Sequence, residues 1–365
     1  MARTFISPSK YIQGPGEMAN LGKHVSVYGK KALVLISAGG KRRSGADVEK
    51  SFEGCGTELV FEIFGGECSR KEIDRLVESG RKNEIDVVVG VGGGKIFDSA
   101  KAAAYYLNVP VVICPTIAGT DAPCSALSVI YTEEGAVEEY LFLRQNPNMV
   151  IMDSAVIAKS PVRMTVSGMG DALATYFEAR ASYKHDGPNF ANGKALHTGM
   201  AMAKLCYDML IENGYKAKVA LEAGALTPAV EAVIEANTLL SGLGFESGGV
   251  AAAHAVHNGF CSLPECHHMY HGEKVAFGVI TQLVLENAPK EELEQVLDFC
   301  ISVGLPVTME QIGVTEPTAE KILQVAQIAC AESDTARNMP FEVDPNMLAG
   351  AIWGADAMGR KALNR

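Results

Sequence analysis

Short apolar runs alternate with segments of helical spacing between residues 30 and 116. The apolar runs predict strands and the intervening segments predict helices, in the order strand 30–37, helix 48–56, strand 57–65, helix 71–82, strand 84–92, helix 95–108 and strand 109–116. Continuous Val and Ile runs are typical of strands buried on both faces, and alternation of strand and helix is typical of a parallel sheet. This part of the chain is therefore predicted to be an α/β domain.

The period of the pattern then changes. Residues 125–144 predict a β-hairpin with its turn near Glu134–Gly135, and residues 148–153 predict a last strand. From Val162 onward the spacing is typical of successive helices. One of them is expected to begin at Thr227–Pro228, because Thr is a good N-cap and Pro is favoured at the first helical position.

A domain boundary is expected near Ser160–Pro161, where the α/β pattern gives way to the helical one. We predict an α/β domain over 1–160 and an all-α domain over 161–365. Two domains also agree with a chain of 365 residues at roughly 150 residues per domain. The cleft between two such domains is the default place for a ligand.

Composition and charge argue against several classes of function. The chain has 32 Lys and Arg against 43 Asp and Glu, and this net charge of −11 does not suit nucleic acid or an anionic membrane. Its most apolar stretches are shorter than the roughly 18 residues of a membrane span, and its N-terminus lacks the apolar region of a secretory signal. The nine Cys form no C-x-x-C pair, which is typical of reduced thiols. We therefore expect a cytoplasmic protein.

A glycine-rich turn, Gly92-Gly93-Gly94-Lys95, connects a predicted strand to a predicted helix. Glycine has no Cβ, so the backbone can approach a ligand closely, and the N–H groups at a helix start favour an anion. The turn is a candidate pyrophosphate cradle. It differs from G-x-G-x-x-G and, because Ile96 follows Lys95, from an ATP-binding P-loop. A tight turn without a ligand is the alternative.

A second candidate loop, residues 115–128, is rich in small and hydroxyl side chains. Asp121 in this loop has few neighbours in sequence that could neutralise it. Beside a cofactor its carboxylate could orient a polyol hydroxyl. The alternative is an ordinary loop carboxylate without a function.

A histidine cluster predicts a metal site. Five of the eight His lie close together, namely His254, His257, His267, His268 and His271. Imidazole is a common Zn²⁺ ligand, and the absence of H-E-x-x-H argues against a zincin protease. The candidate carboxylate is Asp171, which we expect at the beginning of a helix near the domain boundary. For each His, a structural hydrogen bond is the alternative, and Cys261 and Cys266 leave a metal role open.

Five segments together resemble the bacterial glycerol dehydrogenases, zinc-dependent members of the iron-containing, or group III, alcohol dehydrogenase superfamily. They are GGGKIFDSAK (92–101), PTIAGTDAPCSALSVIYT (115–132), GMGDALATYFEARA (168–181), GFESGGVAAAHAVHNG (244–259) and HGEKVAFG (271–278). The resemblance implies a Rossmann-like nucleotide-binding domain and an all-α metal-binding domain, the dehydroquinate synthase-like fold. It also implies zinc-assisted oxidation of glycerol to dihydroxyacetone, with hydride transfer to NAD.

The resemblance further implies roles for individual residues. Asp171, His254 and His271 would bind Zn²⁺, and Asp121 would contact the substrate. The dinucleotide would be lined by Gly92, Gly93, Gly94, Lys95, Thr116, Gly119, Ser125, Leu127 and Tyr131.

Thr175 bears on which metal is bound. Iron-type relatives carry a His four residues after the Asp, and Thr175 stands at that place here. Three protein ligands are the number found in catalytic zinc sites, which keep open positions. Two open positions would favour a vicinal diol such as glycerol or propane-1,2-diol. A proton relay near His257 is a further expectation.

Ser37 departs from the family pattern. The relatives carry an Asp at the end of the first nucleotide-domain strand, where it binds the adenosine ribose and repels a 2′-phosphate. Here Ser37 takes that place, and Lys41, Arg42 and Arg43 follow. A missing carboxylate beside cations is expected where NADP is accommodated, so we expect NAD with a weakened preference over NADP. The alternative is that these cations lie in a solvated loop and NAD binds as usual.

Three alternative functions use the same scaffold. A dehydroquinate synthase-like lyase or a glycerol-1-phosphate dehydrogenase relative would need several basic residues, and the segments around Asp171 and His254 supply few. A non-catalytic nucleotide-binding paralogue should lack one of the three ligands, and all three are present. A homo-oligomer, often an octamer, is implied by the resemblance alone.

Overall fold

The computed structural model describes residues 1–133 and 135–364. Two compact units are distinguished within it. The α/β unit comprises residues 6–118 and 122–160, and the helical unit comprises residues 1–5, residues 119–121 and the chain from Pro161 onward. Among the described residues, no helix combines the length and the apolar character that crossing a membrane requires.

The strands belong to the α/β unit. They are β1 Tyr11–Gly14, β2 Lys31–Ile36, β3 Glu58–Ile63, β4 Val87–Gly92, β5 Val111–Pro115, β6 Leu127–Tyr131, β7 Val137–Phe142 and β8 Met149–Asp153. A six-stranded parallel sheet has the order β1-β8-β5-β4-β2-β3, and β6 and β7 form a separate antiparallel pair. The predicted fold class, a parallel sheet followed by helices, is confirmed.

The predicted strands correspond to β2 to β5, and the predicted hairpin corresponds to β6 and β7. Glu134, named for its turn, lies outside the described residues. The predicted last strand is β8, but β1 pairs along its outer side. Every residue of β4 and β5 is buried, as continuous apolar runs predict.

Most of the helices lie in the second half of the chain. They are α1 Leu21–Val25, α2 Ala38–Phe52, α3 Arg70–Lys82, α4 Gly94–Leu107, α5 Ser154–Ile157, α6 Val162–His185, α7 His197–Glu222, α8 Pro228–Glu235, α9 Ser241–Gly248, α10 Ala252–Cys261, α11 His271–Leu285, α12 Lys290–Val303, α13 Ala319–Ala329 and α14 Pro345–Leu363.

Helix α8 begins where the sequence predicts. Thr227 is its N-cap, and the Thr227 side chain accepts a hydrogen bond from the Val230 N–H. A π-helical segment, Ala236–Leu240, joins α8 to α9, so that the helical backbone continues from Pro228 to Gly248.

Helix α2 corrects the sequence prediction. A helix was predicted over 48–56, but α2 begins ten residues earlier, at Ala38, and ends at Phe52. The Ser37 side chain accepts a hydrogen bond from the Gly40 N–H at 3.0 Å and caps the helix. The sequence pattern does not indicate this start, because Gly39 and Gly40 stand in the first turn and glycine has a low helix propensity. The cations at 41–43 therefore lie in a helix and not in a loop.

The carboxyl ends of β2, β4 and β5 lie at one edge of the sheet. The three strands are adjacent and parallel, with Ile36 opposite Val91 and Gly92 opposite Pro115. The residues that follow them therefore share this edge, which is where ligands of open α/β sheets bind.

Candidate functional site

Asp171, His254 and His271 lie together in the helical unit. Oδ1 of Asp171 is 3.3 Å from Nε2 of His254 and 3.1 Å from Nε2 of His271. One ligand atom from each residue lies within 4.8 Å of the others, which is the spacing of groups that share a metal ion. Among the described residues, these three form the group of His, Cys or carboxylate side chains that could hold a metal ion.

Two glycines let the helices that carry these groups approach closely. Gly170 precedes Asp171 on α6, and Gly272 follows His271 on α11. A Cβ on Gly170 would collide with the carbonyl oxygen of Gly272, and a Cβ on Gly272 would collide with that of Ser167. The missing side chains therefore bring Asp171 to His271.

The position of Asp171 corrects one expectation. We expected Asp171 at the beginning of a helix, but α6 begins at Val162 and Asp171 lies well inside it. The side chain is fully buried, so an unpaired charge there would be costly. The two imidazoles provide the pairing that burial demands.

Each of the two imidazoles has a protein partner on its other nitrogen. Nδ1 of His254 is 2.5 Å from Oε2 of Glu178, and Nδ1 of His271 is 3.0 Å from Nε2 of His257. Nδ1 of His257 lies in turn 3.1 Å from Oδ1 of Asn258. Both Nε2 atoms therefore point to Asp171, and the second nitrogen of each ring holds it in orientation.

Glu178 was missed in the sequence although a signal exists. It follows Asp171 by two helical turns, so both carboxylates lie on the same face of α6. A second carboxylate on the helix face that carries a candidate ligand indicates a hydrogen-bond partner for one of the candidate metal-binding histidines.

The other members of the histidine cluster do not join the group of three. His267 and His268 are exposed, and Nε2 of His267 contacts the carbonyl oxygen of Cys261 at 3.0 Å. Sγ of Cys261 lies 3.4 Å from Nε2 of His257 and 3.1 Å from Nζ of Lys274. Neither Cys261 nor Cys266 is in the described ligand group.

Asp121 lies beside the group and belongs to the same unit. Its backbone N–H donates to Oδ2 of Asp171 at 3.1 Å, and its Oδ2 accepts from the Ser241 hydroxyl at 2.8 Å. The Thr175 hydroxyl is 2.7 Å from that of Ser241. Thr175 takes the position that the resemblance implies for a fourth ligand in iron-type proteins, and here it helps to hold Asp121 instead.

Burial and neighbouring charges together shift the pKa values of Asp121 and Asp171. Burial raises the pKa of Asp121 well above its usual range, and the Asp171 carboxylate adds to this. Burial also raises the pKa of Asp171, but the positive charge of His271 and hydrogen bonds from both imidazoles more than offset it and leave that pKa lowered. Asp171 is therefore held as an anion, which is the form that binds a cation.

The pKa values of His254 and His257 shift in opposite directions. Burial lowers the pKa of His254, but Glu178 and Asp171 outweigh it and raise that pKa well above its usual range. Burial lowers the pKa of His257, and the charges of His271 and Lys274 lower it further. His257 is therefore held neutral and can accept a hydrogen from His271.

The residues present fit a divalent ion of the zinc type. The donor set is one carboxylate oxygen and two imidazole nitrogens, and both rings are tied at their second nitrogen. Zinc in catalytic sites takes three such protein ligands and keeps another position open.

The residues predicted to bind the dinucleotide lie mostly along one edge of the α/β sheet. Ser37, Gly93 and Thr116 follow β2, β4 and β5, and the Thr116 N–H donates to the Gly92 carbonyl at 2.9 Å. Within the described residues no side chain caps α4, whose N-terminus holds Gly94 and Lys95. Gly119 belongs to the helical unit and not to this group.

Lys95 and Lys101 both lie on α4 but make different contacts. Nζ of Lys95 is 2.5 Å from Oε2 of Glu67 and 5.5 Å from the centre of the Tyr131 ring. Lys101 is buried, pairs with Asp98 at 3.0 Å and donates to the carbonyl groups of Ala122, Ser125 and Leu127. Lys101 therefore holds the loop that contains Ser125 and Leu127.

Comparison with known proteins gives full-length similarity. Residues 8–154 match the iron-containing alcohol dehydrogenase family. A glycerol dehydrogenase of Citrobacter freundii is 49% identical over 365 residues, and a glycolaldehyde reductase of Halobacterium salinarum is 44% identical over 365 residues, each covering 100% of both chains. The crystal structure of a probable glycerol dehydrogenase from Sinorhizobium meliloti 1021 is 45% identical, with a TM-score of 0.93 over 99% of this chain and 100% of that one.

Proposed function

This chain belongs to the glycerol dehydrogenases of the iron-containing alcohol dehydrogenase family, and from that membership we propose that it oxidises the secondary alcohol of glycerol or a related vicinal diol, with a nicotinamide dinucleotide as hydride acceptor. It is an oxidoreductase of the glycerol dehydrogenase type. The observation that carries the proposal is the convergence of Asp171, His254 and His271 beside Asp121.

Zinc is the ion that we propose for this site. Asp171 Oδ1, His254 Nε2 and His271 Nε2 would hold it, because the second nitrogen of each ring is already engaged. Thr175 supplies a hydroxyl to Ser241 at the place of a fourth ligand, so the set stays at three. When bound, zinc would supply Lewis acidity that lowers the pKa of an alcohol group.

Asp121 is proposed to orient the substrate. Ser241 holds one of its carboxylate oxygens, and the carboxylate can accept a further hydrogen bond from a polyol hydroxyl. A substrate with oxygens on adjacent carbons would reach both Asp121 and the neighbouring ligand group. Glycerol, propane-1,2-diol and glycolaldehyde, the substrate class named for one relative, all have that pattern.

The α/β unit is proposed to bind the dinucleotide at the N-terminus of α4. The turn Gly93–Lys95 presents backbone N–H groups there, and the helix dipole favours a pyrophosphate. The Lys95 ammonium, now paired with Glu67, lies at the same turn. Ser37 in place of a carboxylate supports acceptance of NADP as well as NAD.

The test is removal and return of the metal. Treatment with EDTA is expected to abolish diol-dependent nicotinamide reduction, and Zn²⁺ is expected to restore it. The diols tested are glycerol, propane-1,2-diol and butane-2,3-diol, with propan-2-ol as the control without a second oxygen. Dihydroxyacetone is tested in the reverse direction, through oxidation of the reduced nicotinamide. A His271→Ala variant should retain no zinc and lose activity in parallel. Full activity of the metal-free protein would contradict the proposal.

A further inference from the structure

We infer that Glu178 is a positioning residue that fixes the hydrogen of His254 on Nδ1 and thereby presents Nε2 as the metal-binding nitrogen. The inference rests on the metal site proposed above. It assigns to Glu178 a role in metal binding although its side chain does not contact the group of three ligand atoms.

The contacts of Glu178 define the tautomer. The side chain is fully buried, and its Oε2 is 2.5 Å from Nδ1 of His254. An ionised carboxylate can only accept hydrogen bonds, so Nδ1 must carry the hydrogen. A ring that binds a metal is neutral, so its lone pair is then on Nε2, the atom that lies 3.3 Å from Asp171 Oδ1.

The same carboxylate also fixes the backbone that carries His254. Its Oε1 accepts hydrogen bonds from the backbone N–H groups of Ala251 and His254, each at 2.9 Å. Glu178 therefore holds both the first turn of α10 and the imidazole that projects from it, so ring position and ring tautomer depend on one side chain.

Gln282 shows that helix capping alone does not require a charge. Its Oε1 accepts from the N–H groups of Ala252 and Ala253 at 3.1 and 3.0 Å, in the same turn of α10. An amide thus performs at Gln282 the backbone task that a carboxylate performs at Glu178. A buried carboxylate costs more than an amide, and the imidazole contact is what Glu178 has in addition.

The test compares Glu178→Gln with Gln282→Ala. If the new amide oxygen keeps the two backbone N–H groups, its NH₂ group faces Nδ1 and donates to it. The hydrogen of His254 must then move to Nε2, which can no longer bind a metal. We expect zinc affinity to fall by about 10- to 100-fold, the usual effect of losing the partner of a metal-binding histidine.

The readouts are independent of turnover. Zinc affinity of the full-length chain is measured by competition with a chromophoric chelator, and Co²⁺ is used as a spectroscopic probe, whose visible absorption should change in Glu178→Gln. Gln282→Ala removes the side-chain acceptor of two backbone N–H groups, and the NH₂ donor to Phe177 and Glu286, without touching the imidazole. It should unfold at lower urea concentration while its folded form keeps wild-type zinc affinity.

The outcomes separate this inference from the proposed function. Wild-type zinc affinity in Glu178→Gln, or an equal loss in Gln282→Ala, overturns the inference alone. A wild-type chain that binds no divalent ion overturns the proposed function and the inference with it. If Glu178→Gln does not fold, NMR of the zinc-loaded wild type decides: a slowly exchanging, downfield Nδ1–H of His254 supports the inference, and its absence overturns it.

Discussion

Ser241 and Thr175 form a short chain of hydroxyl groups that ends on the Asp121 carboxylate. Both hydroxyl side chains are buried, so neither has water as a substitute partner. The chain therefore fixes the orientation of a carboxylate that we propose to contact the substrate. Its residues come from separate helices, α6 and α9, and from the 119–121 segment of the same unit.

Ser241→Ala should weaken glycerol turnover without loss of the metal. The change removes one hydrogen bond to a buried carboxylate, which costs about 1–3 kcal/mol. We expect kcat/KM for glycerol to fall roughly 10-fold, mainly through KM, as about 1.4 kcal/mol implies. Thr281→Val, which removes a buried hydroxyl that donates to the Phe277 carbonyl on α11, is the control. Equal effects of both variants, or zinc loss in Ser241→Ala, would contradict this assignment.

Ser37 should decide between the two dinucleotides. The wild type is expected to use NADP⁺ at a rate comparable to NAD⁺, and Ser37→Asp should restore preference for NAD⁺ because a carboxylate repels a 2′-phosphate. Asp is also a good N-cap, so α2 should keep its start. Initial rates at equal cofactor concentration measure the ratio, and Ser44→Asp adds the same charge further along α2 as a control. A hundredfold wild-type preference for NAD⁺ would remove this hypothesis.

At the scale of elements, the crossing of α6 and α11 brings a carboxylate and an imidazole together. The backbones meet at Gly170 and Gly272, each next to a residue that we propose as a metal ligand. Packing and chemistry therefore depend on the same short segments. If α6 and α11 move apart, the Asp171 carboxylate and the His271 imidazole move apart with them.

Gly272→Ala should separate the two helices and reduce metal binding. Its new Cβ would collide with the Ser167 carbonyl and lie 2.8 Å from the backbone N of Asp171. Overpacking of this kind costs about 1–3 kcal/mol. We expect a lower urea midpoint and zinc affinity reduced at least as strongly as stability. Gly350→Ala on the exposed face of α14, where a Cβ meets nothing within 4 Å, should be neutral or stabilising. Unchanged zinc binding in Gly272→Ala would show that the close crossing is unnecessary.

The sequence predicts the elements well where the hydrophobic period is strong. It fails where glycines interrupt that period, and it does not indicate contacts between residues far apart in the chain. Strands β2, β4 and β5 follow from continuous apolar runs, but the start of α2 is not visible because Gly39 and Gly40 have a low helix propensity. The depth of Asp171 within α6 is not visible either, because buried helices carry apolar residues on every face. Glu178 could have been found from its spacing to Asp171; Ser241 could not, because its link to Asp121 is purely tertiary.

At the scale of the whole molecule, strand order is the feature that local patterns cannot supply. Strand β8 lies between β1 and β5, so the first and last strands of the sheet sequence are neighbours. Their pairing joins Tyr11 to Val150 and leaves no local signal in either segment. The family resemblance supplied the fold at this level, and the hydrophobic pattern supplied only its class.

Metal binding should also stabilise the whole chain. An ion that binds only the folded form adds about 2.7 kcal/mol at a free concentration of about 100 times Kd. Thermal unfolding should therefore shift upward as zinc is added and downward with EDTA. His271→Ala should show no zinc-dependent shift, because one of the three proposed ligands is gone. A wild-type midpoint that does not depend on zinc would contradict a specific site.

The π-helical segment Ala236–Leu240 has a consequence for how this chain can tolerate changes in length. A wide turn holds one residue more than an ordinary helical turn but still completes one turn, so deleting one residue there would restore regular winding without rotating the helix beyond it. Ser241 follows the segment directly and would keep its direction toward Asp121. A one-residue gap in this stretch is thus expected to leave a folded protein in which Ser241 still donates to Asp121.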